Sequence, residues 1–266
     1  MVGRVQINLR YYLFCAIKTR MNIRTQQVRF TSDNMTLHGV LHLPDTINPP
    51  VVIGSHGLEG TMDSAKQRLL ADLLPGLGIA FLRFDHRGCG KSDGRFENDT
   101  SLDLRAADMV AATAHVISLG LTSQRIALFG SSLGGATAIK AWTLLESQEI
   151  FPLGAVVCAT PLVSRTIKNI PLEGNLHRPA LPIEFFEQNL LFDLTRSAGS
   201  IHHLLVFHGG KDEVVPVENA HRLFDLALDP KELVIHPNGG HRMSDPEHQK
   251  DFTRRTALWF KHCLLA

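Results

Sequence analysis

Short apolar runs alternate with longer amphipathic stretches along most of this chain, and their order predicts strands interleaved with helices. Residues 28–30 and 37–42 are expected to pair antiparallel, joined by the turn residues Ser32, Asp33 and Asn34. Further strands are predicted at 51–55, 79–84, 126–129, 155–159, 204–209 and 232–235. Between them the helical period places helices at 65–74, with Asp63 or Ser64 as N-cap, and at 101–119, where Gly120 is a natural stop. Others run from 133 to about 145, from Pro216 to about 228, and from Asp245-Pro246 towards the end. Strands that alternate with helices in this way argue for an α/β fold, a mostly parallel sheet covered on both faces.

One junction carries chemistry. Ile126-Ala127-Leu128-Phe129 leads directly into Gly130-Ser131-Ser132-Leu133-Gly134, and Gly135-Ala136-Thr137-Ala138 continues as a helix of small residues. This is G-x-S-x-G between a strand and a helix, the setting of a nucleophile elbow. A turn this sharp forces Ser132 into a cramped backbone conformation, and the flanking glycines relieve the crowding. Ser131 is excluded because Phe129 would take its glycine position. The helix N-terminus points its free amides at the serine, which makes the Leu133 amide the first candidate donor to an oxyanion.

A serine hydroxyl needs a base, and the base needs an orienting acid. Asp212 lies in the loop after the strand at 204–209, with Glu213 as the rival acid. His241 lies past the pair Gly239-Gly240, in the loop after the next strand. The chain order Ser132, Asp212, His241 is the order of a triad built on the edge of such a sheet. The chain has 14 histidines. His56 and His208, each before a glycine at a strand end, read as structural groups bonding loop backbone, and His236 is too close to its strand to reach across.

These segments resemble the α/β-hydrolase superfamily over residues 28–262, and within it the serine esterase, acylglycerol-lipase and cinnamoyl-esterase-like group. Ser55-His56-Gly57-Leu58-Glu59-Gly60 resembles the loop that supplies a second oxyanion amide, here that of Leu58. Asp85-His86-Arg87-Gly88-Cys89-Gly90-Lys91-Ser92 resembles the D-x-R-G-x-G-x-S loop, with Cys89 at a variable position. Asp85 and Arg87 are expected to pair or hydrogen-bond locally and hold that loop. Gly209-Gly210-Lys211-Asp212 with Val215-Pro216 resembles the acid loop. The resemblance implies an eight-stranded, mostly parallel sheet with helices on both faces and a small lid inserted at about 160–203. That stretch holds Pro161, Pro171, Pro179 and Pro182 and is long for a simple connection. On a lid, Phe185, Phe186, Leu190 and Phe192 would face the acyl or aromatic part of a substrate; otherwise they bury against the body of the domain.

The implied activity is hydrolysis of a carboxylic ester of a small to medium acyl or aromatic acid. Ser132 would act as nucleophile, His241 as base and Asp212 as orienting acid, with an acyl-enzyme intermediate. Amide, thioester or carbon–carbon cleavage would use the same three residues, and a non-catalytic ligand-binding relative is the alternative outside enzymology.

Composition narrows the setting. With 266 residues, 44% of them hydrophobic, residues 21–266 can form one large domain and no second is needed. Lys plus Arg number 27 against 26 acids, so charge argues for neither nucleic acid nor an anionic membrane as partner. A small-molecule ester is the expected partner, and monomer and homodimer both stay open. The glycine-rich stretch 87–94 lacks the phosphate-loop pattern. Cys15, Cys89, Cys158 and Cys263 have no C-x-x-C spacing, which reads as reduced thiols in the cytoplasm rather than disulfides or a zinc site. Neither a metal nor an organic cofactor is expected. Residues 1–20 hold Arg4, Arg10 and an apolar run from 11 to 17 that is too short to span a bilayer and lacks a cleavage site. They are expected to be an untranslated or poorly ordered extension, with initiation at Met21, or else a helix packed on the domain.

Overall fold

The computed structural model describes residues 23–170, 172–174 and 180–266. The expectations for residues 1–20 and Met21 lie outside this set, as do Pro171 and Pro179.

The strands are β1 (Arg24–Ser32), β2 (Met35–Leu43), β3 (Val51–Ser55), β4 (Ala80–Phe84), β5 (Ile126–Ser131), β6 (Ala155–Cys158), β7 (Leu204–Gly209) and β8 (Lys231–His236). They form one eight-stranded sheet in the order β1-β2-β4-β3-β5-β6-β7-β8. β1, β2 and β4 pair antiparallel, and from β4 to β8 every pairing is parallel. The opening hairpin turns on Asp33 and Asn34, with φ of 46° and 65°. Positive φ at both positions matches the right-handed twist of the flanking strands, and Asp and Asn tolerate it better than most residues.

The helices are α1 (Ala65–Leu73), α2 (Phe96–Asp99), α3 (Leu102–Ser118), α4 (Leu133–Glu146), α5 (Ile183–Asn189), α6 (Thr195–Ala198), α7 (Glu218–Leu226) and α8 (Pro246–Leu265). Side-chain alternation along the strands splits the core into two layers. Val51, Ile53, Leu128, Val157 and Val206 pack with residues of α3, α4 and α7 on one face. Val52, Phe129, Val156, Leu205 and Phe207 pack with Leu70 of α1 and Phe252 and Phe260 of α8 on the other. The sheet is thus mixed, mostly parallel and covered on both sides, the α/β-hydrolase fold. No helix among the described residues is long and apolar enough to cross a membrane.

Predicted strands lie within a few residues of the observed ones. What the periodicity left out is short: α2 spans four residues, and α5 and α6 lie in the proline-rich segment between β6 and β7. Asp63 and Ser64 were both candidates to cap α1; Ser64 occupies the position, but its hydroxyl accepts from Thr61 N–H at 3.1 Å rather than from the first turn.

The path of the chain also sets where chemistry can occur. From β3 it moves outward to β4 and then crosses back to β5 on the other side of β3. Loops leaving β3 and β5 therefore diverge at their carboxyl ends and open a crevice there, the usual ligand site of such sheets. α3, which follows the loop after β4, begins after Ser101, whose side chain accepts from Leu104 N–H at 3.2 Å. Ser101→Ala is expected to lower the unfolding free energy by about 1 kcal/mol, read from urea denaturation at constant m-value.

Candidate active site

At the end of β5 the chain turns through Ser132 with φ 55° and ψ −126°. That conformation is strained for a residue with a Cβ. It persists because neighbouring backbone closes around it. A Cβ on Gly130 would overlap the Gly134 carbonyl, and one on Gly134 would overlap the Ser55 carbonyl at the end of β3. Both glycines of the motif are thus required by backbone contact. Gly135 makes room for Thr160 in the same way. α4 starts immediately at Leu133, with Ser132 in the capping position, so the helix N-terminus faces the serine.

The loops after β7 and β8 bring the other two residues to this turn. His241 Nε2 lies 3.0 Å from Ser132 Oγ, and His241 Nδ1 lies 2.9 and 3.0 Å from the two carboxylate oxygens of Asp212. Facing two carboxylate oxygens, Nδ1 carries the proton, and Nε2 is left to accept from the serine hydroxyl. The Asp212 side chain is buried and that of His241 is 17% exposed. Burial alone would raise the pKa of Asp212. Hydrogen bonds from His208 and His241, the charge of His241 and the Val215 amide outweigh it and hold the carboxyl well below its ordinary range. Val214 and Val215 N–H donate to Asp212 Oδ1 at 2.9 and 2.8 Å. His208 Nε2 donates to Val215 O at 2.8 Å and sits 3.3 Å from Asp212 Oδ2. It therefore braces the acid loop, a tie that its position before a glycine announced only as backbone bonding. Glu213, the rival acid, accepts from the His241 backbone N–H at 3.2 Å and so fixes the loop rather than the ring.

Gly57 and Leu58 come just after His56 at the end of β3, and a Cβ on Gly57 would stand 3.5 Å from Ser132 Cβ. The loop holding the Leu58 amide therefore lies against the serine, across from the Leu133 amide. A buried polar network supports it from below. Arg105 Nη2 donates to His56 O, His86 N–H donates to His56 Nε2 at 3.2 Å, and Ser55 Oγ lies 2.8 Å from His86 Nε2. Asp108 Oδ2 is 3.3 Å from His86 Nδ1, and Asp108 Oδ1 accepts from Arg87 Nε at 2.8 Å. Asp85 and Arg87 do not pair with each other. Arg87 reaches Asp108 and Asp33, while Asp85 accepts from Met62 and Lys91 N–H at 2.7 and 3.0 Å. The sequence reading missed Arg105 and Asp108. The available signal was their place on the apolar stripe of α3 beside Leu102, Ala106 and Met109.

A cavity of about 860 Å³ opens over Ser132 and His241. Leu58, Leu133, Phe186, Leu190 and Phe192 line it. Phe185 is not among the lining residues; it is buried against Phe96 and Phe186, with ring centroids 5.9 and 5.4 Å away. On α5, a seven-residue helix, Phe185 and Phe186 point about 100° apart, so only one of them faces the cavity. Among the described residues no group of three or more His, Cys, Asp or Glu side chains is placed to hold a metal ion.

The geometry defines a class, an α/β-hydrolase enzyme of the serine-hydrolase type. The sequence profile of the prolyl oligopeptidase family matches residues 65–266, and the chain belongs to that family. Protein Rv2307c of Mycobacterium tuberculosis is 35% identical over 225 residues, covering 82% of this chain and 71% of that protein. YfhR of Escherichia coli K12 is 29% identical over 98% of this chain and 88% of its own length. A mitochondrial palmitoyl-protein thioesterase of Mus musculus, ABHD10, is 27% identical over 74% and 70% respectively. Est1E of Butyrivibrio proteoclasticus, solved with ferulic acid, superposes with a TM-score of 0.75 at 22% identity over 89% of this chain and 98% of that one. An esterase of Pyrococcus furiosus, Pf2001, does so at 0.73 and 18% over 91% and 93%. These two likenesses are of fold.

The buried network makes stability depend on pH. Burial, with Arg105 nearby, lowers the His86 pKa to about 4 against the opposing pull of Asp108. Between pH 6.5 and 4 the unfolded chain takes up a proton that the folded chain refuses, so stability falls on acidification through that window. His42 is shifted the same way, also to about 4, with burial the main cause. His86→Gln is expected to remove up to about 3 kcal/mol of the stability lost between pH 6.5 and 4, measured as the difference between wild-type and variant urea titrations at the two pH values.

Proposed function

We propose that this enzyme cleaves carboxylic esters through Ser132, His241 and Asp212. The observation that carries the reading is the hydrogen-bonded chain from Asp212 through His241 to Ser132, opening into a mainly apolar cavity. Ser132 Oγ attacks the ester carbonyl as His241 Nε2 takes its proton. The resulting imidazolium faces the Asp212 carboxylate, whose depressed pKa keeps it charged for that purpose. The amides of Leu58 and Leu133 receive the oxyanion, each worth about 3 kcal/mol in the transition state. His241 then protonates the leaving alcohol, and water activated by the same ring releases the acid from Ser132.

In this reading the segment between β6 and β7, about 160–203, is the lid. Phe186, Leu190 and Phe192 contact the acyl or aromatic group, and Phe185 anchors the lid from behind. A cavity of this size and lining suits a small to medium acyl chain or an aromatic acid, in line with the ferulic acid held by Est1E. Thioester cleavage is the second reading, favoured by the similarity to ABHD10. Cys89, Cys158 and Cys263 are buried free thiols, which suits a reducing compartment such as the cytoplasm.

A p-nitrophenyl ester panel from acetate to palmitate, with matched acyl thioesters, tests the chemistry. Ser132→Ala is expected to lose on the order of 10⁴-fold in kcat with an unchanged far-UV spectrum; retention of more than a few percent of activity would refute the mechanism. Phe186→Ala is expected to shift the chain-length optimum of kcat/KM towards longer acids, whereas Phe185→Ala acts mainly on the melting temperature. The reverse assignment of the two effects would overturn the lid geometry.

A further inference from the structure

The wall of the cavity has two unlike sides. Under the lid segment Ile167, Ile170, Phe186 and Leu190 line it. On the other side it is lined by Ala65 and Lys66 at the start of α1, and by Arg242 and Ser244 in the loop that carries His241. Lys66 Nζ joins these two elements by donating to Arg242 O at 3.0 Å. Lys66 is half-buried and Arg242 exposed, so both side chains are open to a ligand.

Charge is divided unevenly between the two sides. On the lid side one cation, Arg165, is matched by one acid, Glu187. On the His241 side Lys66 and Arg242 are both positive, and the acids nearest along the chain are committed elsewhere. Asp63 pairs with Arg68 and Arg83, Asp245 caps α8 by accepting from Glu247 and His248 N–H, and Glu213 accepts from His241 N–H. Glu59, on the β3 loop beside Leu58, also lines the cavity and is already engaged. Among the described residues no carboxylate forms an ion pair with Lys66 or Arg242. The Arg242 carbonyl and the buried Cys158 thiol take hydrogen bonds from Lys66, but they do not neutralise its charge.

The mechanism decides which half of the substrate meets these charges. His241 Nε2 returns its proton to the leaving oxygen, so the alcohol departs within hydrogen-bond reach of that ring. Arg242 is the next residue, and the Lys66 ammonium is bound to its carbonyl. Resting on the esterase reading, we propose that Lys66 and Arg242 form a subsite for an anionic group, a carboxylate or a phosphate, carried by the leaving alcohol. Both groups present the paired oxygens that a guanidinium takes as a fork, with the ammonium as a point charge beside it. A neutral alcohol leaves the two charges unmatched, and an alcohol bearing an ammonium is repelled. The substrate class is then an ester of a small to medium acid with a hydroxy acid or a phosphorylated alcohol.

The test is a set of esters that share one acyl chain and differ at the far end of the alcohol: plain alkyl, carboxylate, phosphate monoester and ammonium. A further ester carries the carboxylate on the acid and a plain alkyl alcohol. kcat/KM is measured for wild type, Lys66→Met, Arg242→Gln and Arg165→Gln, with the melting temperature of each. Wild type is expected to prefer an anionic alcohol over the alkyl one by about fivefold, roughly the worth of two exposed ion pairs, and to turn over the ammonium ester most slowly. Raising the salt concentration should shrink that preference. It should fall in Lys66→Met and in Arg242→Gln but persist in Arg165→Gln; if Lys66→Met does not fold, Arg242→Gln gives the same reading from an exposed position. Equal turnover of anionic and alkyl alcohols by wild type would overturn the subsite. So would a preference for the carboxylate on the acid, or one that is lost only in Arg165→Gln. Turnover of the alkyl ester carries the esterase reading separately from these ratios.

Discussion

Ser132 stands in a left-handed backbone conformation, and the geometry around it follows from how closely three pieces of main chain approach to hold it there. The end of β5, the first turn of α4 and the end of β3 meet with carbonyl groups where side chains would otherwise be, at Gly130 and Gly134 against Ser55. Strain of about 1–3 kcal/mol at one residue is small beside the burial that surrounds it, since Phe129, Leu133, Ala136 and Cys158 are all nearly inaccessible. The same contact fixes the neighbouring loop. Ser55 pairs with Gly130 across the sheet, so the chain leaving β3 must pass Ser132 at Gly57 and Leu58.

Asp212 and His241 are held by a different means. Nothing in the sheet alone would point His241 at Ser132; its ring is fixed through Asp212, and Asp212 through two backbone amides and His208. Glu213 ties down the His241 backbone from the same loop. Ser132 is thus set by backbone packing, and His241 by a string of hydrogen bonds between two adjacent strand ends. Below the β3 loop a third support places charge in the interior: Asp108 is held by Arg87 and His86, His86 meets Ser55, and Arg105 donates to the His56 carbonyl.

Much of this was legible in the sequence because it is local. G-x-S-x-G, the hairpin at Asp33-Asn34 and the apolar strands declare themselves within a few residues, and Asp212 and His241 follow from their place after β7 and β8. Side chains that meet across long distances did not declare themselves. Arg87 pairs with Asp108 of α3, 21 residues on, rather than with Asp85 two residues before it. The choice between Phe185 and Phe186 depends on how a seven-residue helix is turned, which apolar pattern alone does not fix.

The central claim is that Ser132 is an activated nucleophile, and the most direct measurement is covalent capture. The protein is incubated with a fluorophosphonate and digested, and the modified peptide is located by mass spectrometry. The account predicts one adduct, on Ser132, absent from Ser132→Ala and formed far more slowly in His241→Ala. No adduct on the folded protein, or one that persists undiminished on another residue in Ser132→Ala, would contradict it.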